Sequence, residues 1–365
     1  MIHEAELREL AEFDGEGNRV LSLYLDVDPR RTTSETYKLA LRNLFDSVPE
    51  VDPADRARVE QFIELEYDRQ ARGIVCFSCQ KKNFWRVFTL DVPVENAMMV
   101  SRRPLVRRLV DLFNIYGNLG VAAIDKRGAR FFAFHMGSLE EAIGALGEDV
   151  KRHKQGGWSA SRFQRHEDET AKGNLKSFVE LTDKFARQYN WNKLILGGVH
   201  STIIQFQEML PHHLKKMVIG AMPLELDANP QEIRERAEAL AKEAYEHYTQ
   251  NLASELVTQA KKGNQAVLGL ESTLEALQSG RIYQLLFTGK LQLPENAVRR
   301  CTQCNYLSTT TANACPLCGG DIEPLTDAVN TIARRAIAQG AAVIVLPDDN
   351  PLESADEHIG AILRY

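Results

Sequence analysis

The sequence predicts a multidomain α/β (α+β) protein built of three domains. The chain has 365 residues, a length typical of two or three domains that can each bury a core. Short apolar runs typical of buried strands alternate with longer segments of helical periodicity. A cysteine-rich segment at 299–322 interrupts the last of these units. We place the domains at 1–115, 116–252 and 253–365.

The first domain is predicted to contain strands, a hairpin and two helices. A strand at 20–27 ends at Asp28-Pro29, and a segment with helical spacing follows at 35–47. A helix is predicted over 53–70 because Asp52 and Pro53 form a common start signal. Two apolar strands, 73–79 and 84–90, then pair as a hairpin.

The second domain begins with a strand pair and continues into a glycine-rich loop. Strands are predicted at 120–125 and 129–135, and a helix with one apolar stripe at 168–189. A buried central strand follows at 193–199, then helical residues at 203–216. Residues 217–226 return to the sheet.

A long helix leads into the third domain. Asn229 is a good N-cap, Pro230 suits the first helical position, and the apolar stripe continues to about residue 260. Beyond it, strands alternate with helices in an α-β-α layering. The strands are predicted at 266–269, 284–288 and 341–346, and the helices at 271–279 and 325–338.

Composition excludes several classes of protein. No apolar run reaches 18 residues, and the start of the chain lacks the basic and apolar regions of a secretory signal, so we expect a cytoplasmic protein without membrane contact. The net charge of −6 argues against a protein that coats nucleic acid. Basic residues nevertheless cluster at 151–165, 102–108 and 212–216, which fits local contact with RNA. The alternative is that these clusters are solvated helix faces.

Four of the six cysteines predict a metal site. Cys301, Cys304, Cys315 and Cys318 form two Cys-x-x-Cys knuckles separated by ten residues, the spacing of a tetrahedral four-thiolate Zn²⁺ site. Because four protein ligands leave no open position, the zinc is predicted to be structural. Four free thiols are the alternative. Cys76 and Cys79 repeat the spacing in an apolar strand, where buried core cysteines are expected.

Residues 152–165 carry a family resemblance. They read Arg-His-Lys-Gln-Gly-Gly-Trp-Ser-Ala-Ser-Arg-Phe-Gln-Arg. This segment resembles the loop that class-I release factors of archaea and eukaryotes insert into the peptidyl-transferase centre, Gly-Gly-Gln-Ser-Ala-x-Arg-Phe-x-Arg. The matching positions are Gly156, Gly157, Ser159, Ala160, Arg162, Phe163 and Arg165. The family's catalytic glutamine falls on Trp158.

Other segments resemble the same family in the same order. Residues 116–125 resemble the opening of the central domain, and residues 196–199 and 210–220 resemble its later strand and helix. Residues 256–288 resemble a C-terminal domain shared with kink-turn-binding ribosomal proteins, into which archaeal members insert a zinc ribbon. The resemblance implies a release-factor-like arrangement of three domains. It groups the chain with bacterial and archaeal relatives in a superfamily that includes Pelota, Vms-type peptidyl-tRNA hydrolases and Balon.

The chain departs from the family where codons are read. Family members that read stop codons carry Asn-Ile-Lys-Ser and Tyr-x-Cys-x-x-x-Phe motifs in the N-terminal domain. Neither motif occurs in 1–115, and residues 76–84 have only a loose likeness to the second. We therefore do not expect stop-codon reading.

The loop residues are the predicted contacts with RNA at the peptidyl-transferase centre. The set is Lys154, Gln155, Gly156, Gly157, Trp158, Ser159, Arg162 and Arg165. An indole has one donor and no acceptor, so Trp158 cannot orient a water molecule as an amide does, although it can stack on a base. Gln155 is the candidate catalytic residue if a neighbouring amide replaces the missing one, and Gln164 is a second amide. A flexible loop whose arginines pair with Glu167 and Asp168 is the alternative.

The resemblance implies a ribosome-binding translation factor. We expect it to occupy the A site and reach the peptidyl-transferase centre without hydrolysis, as in hibernation or protection of idle or stalled ribosomes. The implied partners are rRNA, tRNA and an elongation-type GTPase, with the protein acting as a monomer. A rescue factor that hydrolyses peptidyl-tRNA with a non-standard loop is the alternative. An RNA-binding protein unrelated to ribosomes is a third interpretation.

Overall fold

A computed structural model shows two compact units. It describes residues 4–146 and 160–365, apart from positions 264, 290, 292, 295, 326 and 356. The first unit joins both ends of the chain, Met1–Asn114 with Tyr245–Tyr365, and the second is Ile115–Ala244. Several separate sheets confirm the predicted mixed α/β multidomain class. The boundaries of three domains stay a prediction.

The N-terminal part of the first unit is an antiparallel sheet with helices on one face. Its strands lie in the order β3-β2-β1-β4. Leu23 of the sheet packs with Phe45 and Ile63 of the helical segments. The predicted helix 53–70 stops early, since a π-helical turn, Phe62–Glu66, follows it. The elements are α1 (Glu4–Glu12), β1 (Val20–Asp26), α2 (Ser34–Ser47), α3 (Pro53–Gln61), β2 (Gly73–Cys79), β3 (Phe84–Leu90), β4 (Ala97–Ser101) and α4 (Arg107–Tyr116).

The second unit is built on a mixed sheet with the order β7-β6-β5-β8-β9. Strands β5, β8 and β9 are parallel. Strand β6 pairs antiparallel with β5, and β7 pairs antiparallel with β6 at the edge of the sheet. The elements are β5 (Asn118–Ile124), β6 (Gly128–His135), β7 (Ser138–Leu146), α5 (Ala160–Gln188), β8 (Lys193–Gly198), α6 (His200–Met209), α7 (His212–Met217), β9 (Val218–Met222) and α8 (Pro230–Lys261).

Two helical predictions for this unit are corrected. Helix α5 begins at Ala160 rather than at 168. The residues before 168 are mostly polar, so apolar periodicity gives no signal there. The predicted helical segment 203–216 is two helices, α6 and α7, which are separated at Leu210-Pro211. Proline has no N–H to donate and clashes with the preceding turn, so one helix cannot continue through it.

Both faces of this sheet are covered, which explains its apolar central strands. On one face Ala122 and Leu196 pack against Phe178 of α5 and Phe206 of α6. On the other face Val121 and Ile195 lie in a core with residues of α8, namely Ile233, Ala237 and Ala241. Alternate residues of a strand point to opposite faces, so a strand buried on both sides must be apolar throughout.

The C-terminal part of the first unit holds a mixed sheet and a separate ribbon. The sheet has the order β10-β16-β11-β15, and the ribbon has the order β13-β12-β14. The central strand β16 was not predicted, since the five residues come at the very end of the sequence. The elements are β10 (Ala266–Leu268), α9 (Leu270–Gln278), β11 (Ile282–Thr288), β12 (Arg299–Cys301), β13 (Leu307–Ser308), β14 (Ile322–Pro324), α10 (Ala328–Ala338), β15 (Ala342–Leu346), α11 (Pro351–Ser354) and β16 (Ile359–Leu363).

Hydrogen bonds between distant segments explain why both ends of the chain form one unit. Arg334 Nε donates to the carbonyl of Ala11 at 2.6 Å. Asn330 Nδ2 donates to the carbonyl of Pro104 at 2.7 Å. Asn114 Nδ2 donates to the carbonyl of Val343 at 2.7 Å. Buried side chains thus satisfy main-chain acceptors across the unit, where an unpaired acceptor would destabilise the fold. Among the described residues, no helix is both long and apolar enough to span a membrane.

Candidate metal centre and glycine-rich loop

The four predicted ligand cysteines lie together in the ribbon. Their sulfur atoms all lie within 4.8 Å of one another. Cys301 Sγ is 3.5 Å from Cys318 Sγ, and Cys304 Sγ is 3.6 Å from Cys315 Sγ. Four sulfurs at the Zn–S bond length around a tetrahedral ion are about 3.8 Å apart. The cluster therefore has the dimensions of a four-thiolate zinc site.

The two knuckles have the same main-chain geometry. In the first, Asn305 N–H donates to the carbonyl of Cys301 at 3.0 Å, and Cys301 N–H donates to the carbonyl of Tyr306 at 2.8 Å. The second repeats both bonds: Gly319 N–H to Cys315 at 2.9 Å, and Cys315 N–H to Gly320 at 2.8 Å. Each knuckle folds back in this way, so its two thiols point at a common centre.

Main-chain N–H groups stabilise negative charge on the sulfur of Cys301. The N–H groups of Cys304 and Gln303 lie 3.5 and 3.4 Å from Cys301 Sγ. These N–H groups lower the pKa of Cys301 to about 6. A thiolate is the form that ligates zinc, and Cys301 ionises before Cys304 and Cys318, since desolvation and the neighbouring sulfurs raise the pKa values of those two thiols.

The ribbon has little apolar material of its own. Its core is Cys301, Cys315 and Ile322, with Tyr306 packed against them. Arg299 adds hydrogen bonds to the carbonyls of Thr311, Ala312 and Ile322. So small a core offsets little of the entropy of ordering the segment, and the four clustered cysteines are compatible with a structural metal that would supply the rest.

The other two cysteines lie in a hydrophobic core, as predicted. Cys76 and Cys79 are both buried in strand β2. Burial raises the pKa of the Cys76 thiol far above its usual value. A neutral, buried thiol is neither a good nucleophile nor a metal ligand.

The glycine-rich loop lies largely outside the described residues. Lys154, Gln155, Gly156, Gly157, Trp158 and Ser159 belong to that segment, so their roles stay predictions. The structure shows what flanks it: strand β7 at the edge of the sheet before it, and helix α5 after it. Arg162 and Arg165 fall in the first turns of α5, three positions apart, so their backbone positions share one face of the helix.

The other two basic clusters are partly neutralised within the chain. Arg102 and Arg103 pair with Asp14, and Arg108 pairs with Glu95. In the cluster on α7, His213 Nε2 lies 2.6 Å from a carboxylate oxygen of Asp183. Intramolecular pairing thus accounts for the charge of Arg102, Arg103 and Arg108 without an RNA partner.

Sequence reasoning missed two cavities. In the second unit, a cleft of about 670 Å³ lies where β8 and β9 end, and it is lined by Gly198, His200, Met222, Leu224 and Arg236, among others. In the first unit, a cavity of about 300 Å³ is lined by Arg103, Arg300, Arg334 and Arg335. These arginines are scattered along the sequence, so no motif could indicate that they meet.

The part of the chain that contains the loop matches a known protein family. Residues 104–242 match the model of bacterial archaeo-eukaryotic release factor family 10. The matched part runs from the start of α4 into α8 and includes the whole segment 152–165. Residues 104–242 are thus similar to bacterial proteins related to the archaeal and eukaryotic release factors, in agreement with the predicted resemblance. No curated protein matches the chain.

Several solved structures are similar at low identity. An archaeal translation termination factor, aRF1, is 17% identical, with 100% of this chain and 99% of that chain covered, at a TM-score of 0.28. Archaeoglobus fulgidus Pelota is 13% identical, with 100% and 92% covered, at a TM-score of 0.35. S. cerevisiae Dom34 is 12% identical, with 82% and 83% covered, at a TM-score of 0.41.

Proposed function

We propose that the chain is a ribosome-binding translation factor that occupies the A site and carries its loop to the peptidyl-transferase centre without hydrolysing peptidyl-tRNA. One observation carries the proposal. Within a segment that matches the release-factor pattern on both sides, Trp158 stands where the pattern has its catalytic glutamine. The frame of the loop is kept and its reactive side chain is replaced, as suits a factor that protects or marks an idle or stalled ribosome.

The chemistry of hydrolysis supports this interpretation. Peptidyl-tRNA hydrolysis needs a water molecule held against the ester carbonyl and a preorganised dipole for the developing oxyanion. An indole N–H can donate but cannot accept, so Trp158 cannot position water through an acceptor. Gly156 and Gly157 still allow close approach of the backbone to RNA, and the Trp158 indole can stack on a base of the centre.

Helix α5 would supply the phosphate contacts. Arg162 and Arg165 lie one helical turn apart next to the loop. Guanidinium groups bind phosphate through two parallel N–H bonds, so a pair on one face can clamp an RNA backbone. Leu175 and Phe178 are buried against the sheet further along the same helix. That packing provides a rigid base for the loop.

The partners would be rRNA and tRNA, with delivery by an elongation-type GTPase. Among similar structures, an archaeal Pelota is described as ribosome-bound with ABCE1, and Dom34 as interacting with Hbs1. We propose that the protein acts as a cytoplasmic monomer, with structural zinc held by Cys301, Cys304, Cys315 and Cys318.

Co-sedimentation with ribosomes tests the proposal. Wild-type protein should pellet with ribosomes through sucrose at moderate salt, and Arg162→Glu with Arg165→Glu should weaken this association. The matched control is Lys184→Glu with Arg187→Glu, which reverses two charges three positions apart near the other end of α5. Failure of the wild type to co-sediment would overturn the proposal. Equal loss in both variants would assign the effect to general charge.

A rescue peptidyl-tRNA hydrolase is the second candidate, and the position of Gln155 favours it. This amide immediately precedes Gly156, so a shifted loop can bring it to the place of the missing glutamine. Release of labelled peptide from stalled ribosomal complexes separates the two functions. Release by the wild type that is lost in Gln155→Ala would establish the enzyme, whereas no release supports the non-hydrolytic factor.

A further inference from the structure

The cavity of about 300 Å³ in the first unit is unusually basic. Four arginines line it: Arg103, Arg300, Arg334 and Arg335. The one acidic residue in the described lining is Glu12, whose side chain is exposed. Like charges repel strongly at short range, so such a cluster is costly unless something negative sits among its members.

Acidic side chains of the chain neutralise only part of this charge. Arg103 pairs with Asp14, and Arg300 pairs with Glu323. Arg334 and Arg335 instead donate to main-chain carbonyls: Arg334 Nε to Ala11, at 2.6 Å, and Arg335 Nη2 to Asn305, at 2.8 Å. A carbonyl accepts a hydrogen bond but carries no net charge, so these bonds leave both guanidinium charges in place. Asp327 and Asp14 attract Arg334, whereas Arg103 and Arg300 repel it.

Two of the arginines that line the cavity each have a buried side-chain donor without a partner in the described part of the chain. Arg334 is only 4% exposed, yet within the described part of the chain its Nη1 has no hydrogen-bond partner. Arg300 Nε also has no hydrogen-bond partner among the described residues. Burial, with Arg103 nearby, lowers the pKa of Arg334 to about 9. Buried donors are nearly always satisfied in folded proteins, so these two donors show that the chain itself compensates this arginine cluster incompletely.

We propose that this cavity is a binding site for a phosphate group. Guanidinium groups from separate segments approach it, and phosphate offers more acceptor oxygens than a carboxylate, which has two. The volume lies at the small end of ligand sites. It therefore suits inorganic phosphate or the terminal phosphate of a nucleotide or RNA rather than a duplex.

The site would also link binding to the fold of the first unit. Ala11 belongs to α1, Arg300 to β12 of the ribbon, and Arg334 to α10. A phosphate held by Arg300 and Arg334 would thus tie the ribbon to the helices beside it. This inference does not depend on ribosome binding, because the ligand site lies wholly within the first unit.

Calorimetry on the full-length, zinc-loaded protein tests the site at constant ionic strength set with chloride. The ligands are inorganic phosphate, adenosine 5′-monophosphate, and one short RNA carrying either a 5′-phosphate or a 5′-hydroxyl. We expect inorganic phosphate to bind and to raise the melting temperature. If the 5′-phosphorylated RNA binds more tightly than its hydroxyl form, an RNA terminus supplies the phosphate group. If both RNAs bind equally weakly, the phosphate group comes from free phosphate or a nucleotide.

Variants locate the site. Arg335→Gln should weaken phosphate binding roughly tenfold, as expected for loss of one charge-assisted hydrogen bond. Arg103→Gln is a second variant, since Arg334 also holds the fold through Ala11 and its replacement can prevent folding. The control is Arg187→Gln, which removes an exposed arginine from the second unit. The proposal would be overturned by any of three results: the wild type does not bind phosphate, acetate or citrate binds as tightly as phosphate, or the control variant loses as much affinity as the site variants.

Discussion

Asn305 and Gly319 occupy equivalent left-handed positions in the two knuckles of the ribbon. Asn305 follows Cys304 with φ of 59°, and Gly319 follows Cys318 with φ of 73°. Each N–H donates to the carbonyl of the first cysteine in its own knuckle. Asparagine and glycine are the residues that enter this region at least cost. The repeat in backbone geometry, rather than the cysteine spacing alone, brings the four sulfurs together.

Gly319→Val should weaken zinc binding, whereas Gly319→Asn should be tolerated. An added Cβ at Gly319 meets nothing within 4 Å, so the penalty comes from φ and not from crowding. A β-branched residue in the left-handed region costs on the order of 1–2 kcal/mol, which corresponds to about a tenfold loss of affinity. Competition with a chromophoric chelator measures this. Equal affinities for the valine and asparagine variants would show that the ribbon relaxes the left-handed turn.

Cys301→Ser combined with Cys304→Ser should abolish zinc binding and unfold the ribbon. The ribbon core is three buried residues, two of them cysteines, so it cannot persist without the metal. The second unit has its own core around Phe178 and Phe206 and should stay folded. Metal analysis and limited proteolysis with mapped cleavage sites report the two outcomes. The metal site would be refuted if wild-type protein purified without chelator contained no zinc. Cleavage of the double variant throughout 115–244 would show that the ribbon supports the second unit.

Trp158→Gln should introduce peptide release if the loop reaches the peptidyl-transferase centre. The variant restores the amide of the family pattern, and loss of a single oxyanion or water-positioning group typically changes rates by about 10²–10³-fold. Trp158→Ala is the matched control, because it removes the indole without supplying an amide. Release of labelled peptide from ribosomal complexes is the measurement. Ribosome binding without release by Trp158→Gln would mean that the loop does not approach the ester.

The sequence predicted those parts of the fold that are encoded locally. Strands β2 and β3 have the bounds that apolar runs predicted, and the cysteine spacing predicted the cluster of sulfurs. What it missed depends on contacts between distant residues. Asn330 meets Pro104 across 226 positions of sequence. The arginines of the phosphate cavity carry no common spacing, so only the folded chain brings them together.

Asp111 should contribute a loss of stability to the first unit as pH rises from 4 to 7. Burial raises the pKa of its carboxyl from the ordinary 3.8 to about 6, with Glu95 and Arg108 acting in opposite directions. The pKa of Asp111 is higher in the folded protein than in the unfolded chain. The contribution of Asp111 to the free energy of unfolding is therefore fully present below pH 4, and it is lost as pH rises through the folded-state pKa. The loss is roughly 3 kcal/mol at about 1.4 kcal/mol per pKa unit. Asp28 acts differently: hydrogen bonds from Arg30 hold its pKa far below the ordinary value, so its contribution is constant over this range.

Asp111→Asn should therefore become progressively more stable than the wild type between pH 4 and 7. Asparagine stays neutral in both states, so the variant lacks the loss caused by ionising a half-buried carboxyl. Half-buried Asp327, whose pKa is also raised by desolvation, is present in both proteins and cancels from the difference. Urea unfolding followed at several pH values gives the free energy of each protein. A difference that does not change with pH would show that Asp111 ionises in the folded protein as easily as in the unfolded chain.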